Sequence, residues 1–147
     1  LCSKICIPYL KKSSNPHILN LSPPINLKPK WFENFTAYTM SKYSMSMIVI
    51  GMSSEYKKYN IAVNSLWTKT AINTAAISML GGFVTPEQCR KPEIVSDAAY
   101  IILSKNSKEC TGNFFIDEYV LKEEGEEDFD KYAVKSGSKL FEDLYLD

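Results

Sequence analysis

A chain of 147 residues is long enough to fold as one domain around a hydrophobic core. Its hydrophobic content of 45%, charged content of 23% and net charge of zero are those of an ordinary globular protein. No apolar run approaches the roughly 20 residues of a bilayer-spanning helix, and neither end of the chain interleaves arginine with aromatic residues. Neither a membrane span nor nucleic-acid binding is therefore expected.

The placement of charges and cysteines narrows the classes of site that the chain could hold. Residues 1–60 carry eight lysines and two acidic residues, whereas residues 117–147 carry eleven acidic residues and four lysines. This asymmetry predicts a basic face and a solvated acidic tail. The four cysteines form no Cys-x-x-Cys motif, and the single histidine, His17, has no partner at metal-ligand spacing. We therefore expect free thiols in a reducing compartment and no metal site.

The first part of the chain predicts a helix, a strand and a loop. Residues 1–12 are largely apolar and end in two lysines, which is typical of the C-terminal end of a helix, with Pro8 kinking or limiting it. Residues 17–22 form a short, mostly apolar run, as in a strand buried on both faces of a parallel sheet. Two prolines end this strand, and a loop then runs to about Phe35.

A long helix and a second strand follow. The helix is predicted at about residues 35–56, and the apolar run at residues 61–67 predicts another buried strand. Residues 70–80 are predicted to form a short helix, because two glycines follow in the place of a C-cap. Trp67, like Trp31 in the preceding loop, is expected to be a packing residue, although Trp67 also lies where a substrate pocket could have its wall.

The last third of the chain predicts one more helix, one more strand and a tail. Residues 91–103 have Pro92 near their start and apolar residues at helical spacing, which indicates a helix. After a turn at Thr111-Gly112, residues 113–117 predict a third strand. From Lys122 onward the chain is acidic and low in apolar residues, so we expect it to be irregular or linker-like.

The order of these elements predicts the class of fold. Strand, helix, strand, helices and strand in succession indicate an α/β protein with right-handed crossovers onto a parallel sheet. A sheet of only three strands would have an open edge, which is an aggregation hazard unless it is covered. Because the first residue is also not methionine, we expect the chain to be part of a longer protein.

Tyr38 and Lys42 are the first candidates for chemistry. They stand four residues apart in the predicted long helix, so both side chains leave the same face. A phenol has a pKa of about 10, and a nearby ammonium favours the phenolate, which would let Tyr38 exchange a proton with a carbonyl or a hydroxyl. Nine tyrosines and sixteen lysines predict about one such pair by chance, so a helix-surface pair without a role is the alternative.

The surroundings of this pair carry a family resemblance. A strand ends in Asn20-Leu21-Ser22-Pro23-Pro24, the Tyr38–Lys42 helix follows, and Val63-Asn64 stands in the next strand. The stretch Ala98–Ser104 and the turn at Thr111-Gly112 continue the same order. Over about residues 1–120 this joint pattern resembles the C-terminal half of the short-chain dehydrogenase/reductases. The resemblance implies the C-terminal half of a Rossmann-like, doubly wound parallel sheet of about three strands with flanking helices, incomplete at its N-terminal side, followed by an acidic tail or linker at residues 121–147.

The resemblance also implies roles for particular residues. Tyr38 would donate or accept the proton, Lys42 would lower the pKa of Tyr38 and hold the nicotinamide ribose hydroxyls, and Ser22 would hydrogen-bond the substrate oxygen. The stretch at residues 68–74 would close over the nicotinamide. The residues that would contact the cofactor, NADP or NAD, are then Tyr38, Lys42, Thr70 and Thr74.

The reaction, the partners and the location are implied in the same way. The expected activity is oxidation of an alcohol or reduction of a carbonyl on a small, lipid-like substrate. The expected assembly is a homo-oligomer in which the Tyr38–Lys42 helix packs against a second subunit. The expected location is the peroxisome, with the mitochondrion as the alternative.

The chain departs from the family pattern in three places. Ser22 lies 16 residues before Tyr38, a few more than usual, and Pro23 stands near the place of the family's serine. Thr68-Lys69 replaces a Pro-Gly pair, which is expected to loosen the turn after the second strand. The 147 residues contain no glycine-rich motif for the pyrophosphate. We therefore expect the isolated chain to be inactive, and its alternative role is that of a non-catalytic pseudo-enzyme or a dimerisation module.

Overall fold

The computed structural model describes residues 1–79 and 81–146 of the chain. The helices in this part are α1 (Cys2–Leu10), α2 (Thr36–Tyr56), α3 (Ala75–Ser78), α4 (Glu93–Ser104) and α5 (Asp117–Glu123). The strands are β1 (His17–Leu21), β2 (Ala62–Trp67) and β3 (Phe114–Ile116). Single turns of 3-10 helix lie at Pro29–Trp31, Lys57–Tyr59, Pro86–Gln88 and Asp130–Tyr132.

The strands form one parallel sheet in the order β1, β2, β3. His17 pairs with Ala62 in the first ladder, and Ser65 pairs with Phe114 in the second. The central strand, β2, is buried along its whole length, as its continuous apolar run predicts for a strand covered on both faces. The predicted α/β fold, a partial Rossmann-like sheet with flanking helices, is confirmed.

Helices cover both faces of this sheet. On one face, Val63 of β2 packs with Ile7 of α1 and Val49 of α2. On the other face, Leu66 of β2 packs with Ile94 of α4. Val63 and Leu66 reach opposite faces because successive side chains of a strand alternate in direction. The sheet is therefore doubly wound, with its core divided between two helical layers.

The helix predicted at residues 91–103 shows how local sequence fixes an element. Pro92 stands at the N-cap of α4, where its missing N–H costs no helical hydrogen bond. Ile94, Ala98 and Ile102 follow at intervals of four, so they lie on one side of α4, and all three are buried. This buried stripe attaches α4 to the sheet.

The predicted helix at residues 70–80 is wrong over its first half. α3 has only four residues, and before it Thr70 forms an isolated bridge with Glu142 and Ile72 forms one with Arg90. The β-branched side chains of Thr70 and Ile72 favour extended backbone over helix. Leu80, the predicted end of this helix, lies outside the described residues.

The chain beyond residue 120 is mostly irregular, as expected, but it is not a solvated tail. α5 reaches Glu123 and is not predicted from the sequence; its acidic first turn and Lys122 in its last turn both suit the helix dipole. Tyr132 and Tyr145 are buried in separate apolar clusters against the sheet. The expected solvated tail is thus corrected through residue 146, while the division of the chain at residue 120 stays a prediction.

Three further observations concern the part of the chain that the structure describes. None of its helices has both the length and the apolarity that crossing a membrane requires. It holds no group of three or more His, Cys, Asp or Glu side chains that could bind a metal ion. Its four cysteines are free thiols: Cys2, Cys6, Cys89 and Cys110.

Candidate active site

The candidate site lies where the carboxyl ends of the parallel strands meet, which is the edge that binds ligands in open α/β sheets. Ser22 follows β1, Thr68 follows β2, and Asp117 follows β3. The first turns of α2 reach the same edge, because the Nζ of Lys42 lies 5.2 Å from the ring centroid of Trp67 at the end of β2. The fold thus brings the predicted helix and the predicted loop together.

Tyr38 and Lys42 share one face of α2, one turn apart, as their spacing predicts. The Nζ of Lys42 lies 5.6 Å from the ring centroid of Tyr38, within the range of a cation–π interaction. Tyr38 is 45% exposed, so a substrate can reach it from solvent. The pair therefore has the proximity and the access that proton transfer requires.

The pKa of Tyr38 is shifted in the direction opposite to the expected one. Partial burial raises it most, because a phenolate is poorly solvated there, and the neighbouring Tyr145 and Asp143 raise it further. The lowering expected from Lys42 does not prevail over these effects. Within this chain, Tyr38 is held in its protonated form, which is the form that donates a proton.

The loop after β2 is tied down by the C-terminal segment, here residues 141–146. The hydroxyl of Thr68 donates a hydrogen bond to a carboxylate oxygen of Asp143, and the backbone N–H of Asp143 donates to the carbonyl of Lys69 at 3.0 Å. The indole N–H of Trp67 donates to the carbonyl of Leu144 at 3.0 Å. Three hydrogen bonds thus tie Trp67, Thr68 and Lys69 to the C-terminal segment, while the expectation that this turn is looser than a Pro-Gly turn stays a prediction.

Asp117 holds the same loop from the other side. Its Oδ1 accepts hydrogen bonds from the backbone N–H groups of Lys69 at 2.8 Å and of Glu118 at 2.7 Å. Its Oδ2 is buried and has no hydrogen-bond partner among the described residues. Burial raises the pKa of Asp117 to about 6, against the lowering effect of those two amides and of the Arg90 charge.

Tyr145 anchors the C-terminal segment beneath the candidate site. Its ring centroid lies 5.1 Å from that of Tyr43, 5.6 Å from that of Trp31 and 6.0 Å from that of Trp67. Its hydroxyl hydrogen-bonds with the hydroxyl of Thr39 at 3.1 Å. The packing role expected of Trp31 and Trp67 is therefore confirmed, and the two tryptophans fix the segment that carries Asp143.

Ser22 lies in the interior, against β2. The residue is fully buried, and its hydroxyl hydrogen-bonds with the hydroxyl of Ser65 at 3.0 Å. The Ser65 hydroxyl also reaches the backbone carbonyl of Ser22. A substrate oxygen could meet Ser22 only after this contact is broken, so the structure ties Ser22 to β2 and not to Tyr38.

Thr70 and Thr74, the other predicted cofactor-binding residues, lie in different environments. Thr70 is buried beside the C-terminal segment, and its hydroxyl has no hydrogen-bond partner within the described ranges. Thr74 is exposed at the N-cap of α3, where its side chain makes no capping hydrogen bond. Thr70 thus offers an unused buried polar group, whereas Thr74 is open to solvent.

Asn64 has a structural role in this chain. Its side-chain N–H donates to the carbonyl of Cys110 at 2.7 Å, and its Oδ1 accepts from the backbone N–H of Asn113 at 3.0 Å. These bonds join the middle of β2 to the turn that precedes β3. The Val63-Asn64 motif therefore reports the geometry of the sheet.

Sequence reasoning missed Asp143, Tyr145 and Asp117. The acidic composition of the last residues suggested solvation, so none of the three was a candidate. A signal was present: Phe141 and residues 144–146 place four apolar or aromatic side chains inside the acidic stretch. Such a cluster in a polar tail indicates docking.

Several known proteins are similar in sequence to this chain. No protein-family model matches the chain. Hydroxysteroid dehydrogenase-like protein 2 of Xenopus laevis is 61% identical over 147 residues, which is 100% of this chain and 35% of that protein. The chain therefore spans about a third of the length of the curated relatives it matches.

Solved structures match nearly the whole chain. A dehydrogenase-like protein of Xanthomonas campestris superposes with a TM-score of 0.94 at 41% identity, over 99% of this chain and 53% of that one. A short-chain dehydrogenase of Mycobacterium thermoresistibile gives a TM-score of 0.88 at 45% identity, over 99% and 51%. At 23% identity and a TM-score of 0.60, the same fold occurs in a 7α-hydroxysteroid dehydrogenase complexed with NADH.

Proposed function

We propose that this chain, which is similar in sequence and fold to part of a short-chain dehydrogenase, supplies the acid–base centre of a nicotinamide-dependent oxidoreductase. Tyr38 exchanges the proton with the substrate oxygen, and Lys42 sets the electrostatic environment of the phenol. The observation that carries the proposal is the half-exposed Tyr38 with the Lys42 ammonium beside its ring, at the ligand-binding edge of the sheet.

The residues at this edge fit the nicotinamide end of such a cofactor. Lys42 offers a cation that would hold the ribose hydroxyls, and the buried hydroxyl of Thr70 is a polar group without a partner in the described part of the chain. When bound, the cofactor supplies the hydride chemistry. The chain's own part is to hold Lys42 and Thr70 toward the cofactor and to keep the proton on Tyr38 until a carbonyl oxygen takes it, or to accept the proton of an alcohol.

The substrate class is proposed as small and lipid-like, and the location as the peroxisome, with the mitochondrion as the alternative. The ring of Trp67 beside Lys42 provides an apolar wall for such a substrate. The location rests on the family resemblance alone. Fluorescent tagging of the full-length protein, scored against markers of both organelles, tests it.

Cofactor binding and turnover together test the proposed function. Calorimetry with NADP(H) and NAD(H) compares this chain with the full-length protein, since the 147 residues hold no glycine-rich pyrophosphate motif. We expect binding and turnover by the full-length protein only. Tyr38→Phe is the matched control, since it removes the proton-transferring hydroxyl and keeps the ring over Lys42. Turnover by the isolated chain, or undiminished turnover by Tyr38→Phe, would contradict the proposal.

A second candidate function is pairing with another copy through α2. Met40 and Met47 are 63% and 57% exposed, and their spacing of seven residues puts them on one face of the helix, with Ile50 one turn further on. An apolar face of this kind is typical of an interface. Sedimentation of the full-length protein tests the pairing: Met47→Lys should dissociate it, and Ser96→Lys, at an exposed polar position on α4, is the control. A monomer without the substitution would exclude this function.

A further inference from the structure

Asp143 is hydrogen-bonded to the loop after β2 at the candidate site, and the proposed function gives this residue no role. One carboxylate oxygen accepts the hydroxyl hydrogen of Thr68, and the other accepts the backbone N–H of Leu144 at 2.7 Å. Its own N–H is bonded to the carbonyl of Lys69 at 3.0 Å. The side chain is thus fixed in one place, directly after the end of β2.

Helix α2 meets the C-terminal segment at Trp67: the Nζ of Lys42 lies 5.2 Å from the ring centroid of Trp67, whose indole N–H donates to the carbonyl of Leu144 at 3.0 Å. Four titratable groups from three elements interact electrostatically with the Asp143 carboxylate: Lys42 and Tyr38 of α2, Tyr145 of the same segment, and Cys89 on the chain that precedes α4. Among them Lys42 is the one cation in the described part of the chain that acts on Asp143. The ammonium of Lys69 turns away and donates to the hydroxyl of Tyr119 at 2.8 Å.

Two opposite charges lie near Tyr38. An ammonium such as that of Lys42, whose Nζ lies 5.6 Å from the ring centroid of Tyr38, favours a phenolate on general grounds. Burial raises the pKa of Tyr38 most, Tyr145 and Asp143 raise it further, and Asp143 also raises the pKa of Tyr145. Burial raises the pKa of Asp143 itself, and the Thr68 hydroxyl, the Leu144 amide and the Lys42 ammonium each act to lower it. The two α2 residues and the C-terminal carboxylate form one coupled set.

We propose that Asp143 is a positioning residue for the Tyr38–Lys42 pair. Its carboxylate fixes the loop after β2 through Thr68 and opposes the charge of Lys42 at the hydroxyl of Tyr38. This inference rests on the proposed function, since it assigns Asp143 the task of keeping the proton on Tyr38. The C-terminal segment then belongs to the acid–base centre, although it lies about a hundred residues away along the chain.

Asp143→Asn separates the negative charge of Asp143 from its hydrogen bond with Thr68. The amide keeps the size of the side chain and an acceptor for Thr68, and it removes the negative charge. We expect the titration midpoint of Tyr38 to fall by about half a unit to one unit, because a charge beside a partly exposed phenol is only partly screened. In alcohol oxidation, where Tyr38 must accept a proton, the acidic limb of the rate profile should move down by the same amount.

The matched variant is Thr68→Val, which keeps the charge of Asp143 and removes one hydrogen bond. The full-length protein is labelled with ¹³Cζ-tyrosine, and the signal that disappears in Tyr38→Phe is followed against pH by NMR. We expect Thr68→Val to leave the midpoint of Tyr38 within about 0.2 units of the unsubstituted protein and to speed amide exchange at Lys69. An unchanged or higher midpoint in Asp143→Asn overturns the proposal, and so does an equal shift in both variants.

The titration of Tyr38 is measured without substrate turnover. The role of Asp143 and the oxidoreductase function are therefore tested separately. If the full-length protein turns over substrate and the midpoint does not move in Asp143→Asn, only the role of Asp143 falls. If the midpoint moves as expected and no substrate is turned over, the charge coupling stands and the oxidoreductase function falls. Near-ultraviolet circular dichroism of each variant confirms that the fold is kept.

Discussion

Asp117 and Asp143 hold the loop after β2 from opposite sides, but their surroundings give the two carboxylates different roles. Asp117 is fully buried and binds two backbone amides, and one of its oxygens has no partner among the described residues. Asp143 binds a side-chain hydroxyl and faces the ammonium of Lys42. Asp117 therefore supports the loop, whereas Asp143 also transmits charge to the candidate site.

The difference teaches that a carboxylate's role depends on what its second oxygen meets. In Asp117 the unpartnered oxygen makes ionisation costly, so the pKa rises to about 6. In Asp143 the second oxygen accepts the Leu144 N–H. Burial raises the pKa of Asp143, and the Thr68 hydroxyl, this amide and the Lys42 ammonium act to lower it. Asp117 thus stabilises the loop after β2, whereas Asp143 also adjusts the charge around the Tyr38–Lys42 pair.

The largest expected effect is on turnover, the property that Asp143, unlike Asp117, is argued to influence. Tyr38→Phe removes the group on which Asp143 is argued to act, and turnover by the full-length protein should fall about a thousandfold, as for loss of a general acid. Steady-state kinetics measure this fall, and calorimetry should show unchanged cofactor binding. A fall of less than about tenfold would leave Asp143 without a catalytic partner.

The next effect tests the buried charge of Asp117. Its pKa is raised from 3.8 in the unfolded reference to about 6 in the fold, so the folded state holds this proton more tightly. The associated stability is fully present below pH 3.8 and is lost as the pH rises through about 6. At about 1.4 kcal/mol per unit, the loss is about 3 kcal/mol.

Urea unfolding of the unsubstituted protein and of Asp117→Asn measures this loss as a difference. The free energy of unfolding of Asp117→Asn should gain on that of the unsubstituted protein by about 2.4 kcal/mol between pH 4 and pH 7, where most of this loss falls. The amide keeps the acceptor for the Lys69 N–H and carries no charge. A difference that does not change with pH would mean that Asp117 ionises as easily in the fold as outside it.

A smaller effect is expected on stability, where the hydrogen bond of Thr68 with Asp143 is compared with those of Asp117 to the same loop. Thr68→Val removes one neutral donor to Asp143 and should lower the free energy of unfolding by about 1 kcal/mol at pH 7. Asp117→Ala leaves two backbone amides unpaired and should lower it by about 2 kcal/mol at pH 4, where the aspartate is largely protonated. Denaturant titration measures both variants. If Thr68→Val cost more than Asp117→Ala, the loop would be held mainly by the C-terminal segment.

The smallest expected effect on catalysis is that of Ser22→Ala. Because the Ser22 hydroxyl is buried against Ser65, its loss should change turnover by less than about threefold and lower stability by about 1 kcal/mol. Kinetics and unfolding on the same preparation separate these outcomes. A drop in turnover of about a hundredfold would show that Ser22 reaches the substrate after all.

Elements whose signals are local were predictable from the sequence. α2 begins and ends within a residue of its predicted range, and β2 does the same, because apolar spacing is set within the element itself. The Tyr38–Lys42 pairing was predictable for the same reason, since helical geometry alone puts residues four apart on one face. α3 was overestimated because its first half is held in extended bridges by distant residues.

The remaining features depend on contacts between residues far apart in the chain. Thr68 and Asp143 are separated by 75 positions, and Ser22 and Ser65 by 43. No pattern within either segment shows that these side chains meet.

By itself, therefore, the sequence determined the order of strands and helices, the parallel sheet and the spacing of the acid–base pair. Only the tertiary structure decided that Ser22 is buried, that the acidic C-terminal segment closes the loop after β2, and that Asp143 opposes Lys42. The physical reason is that burial and electrostatic coupling depend on distances in space, which local propensities do not encode.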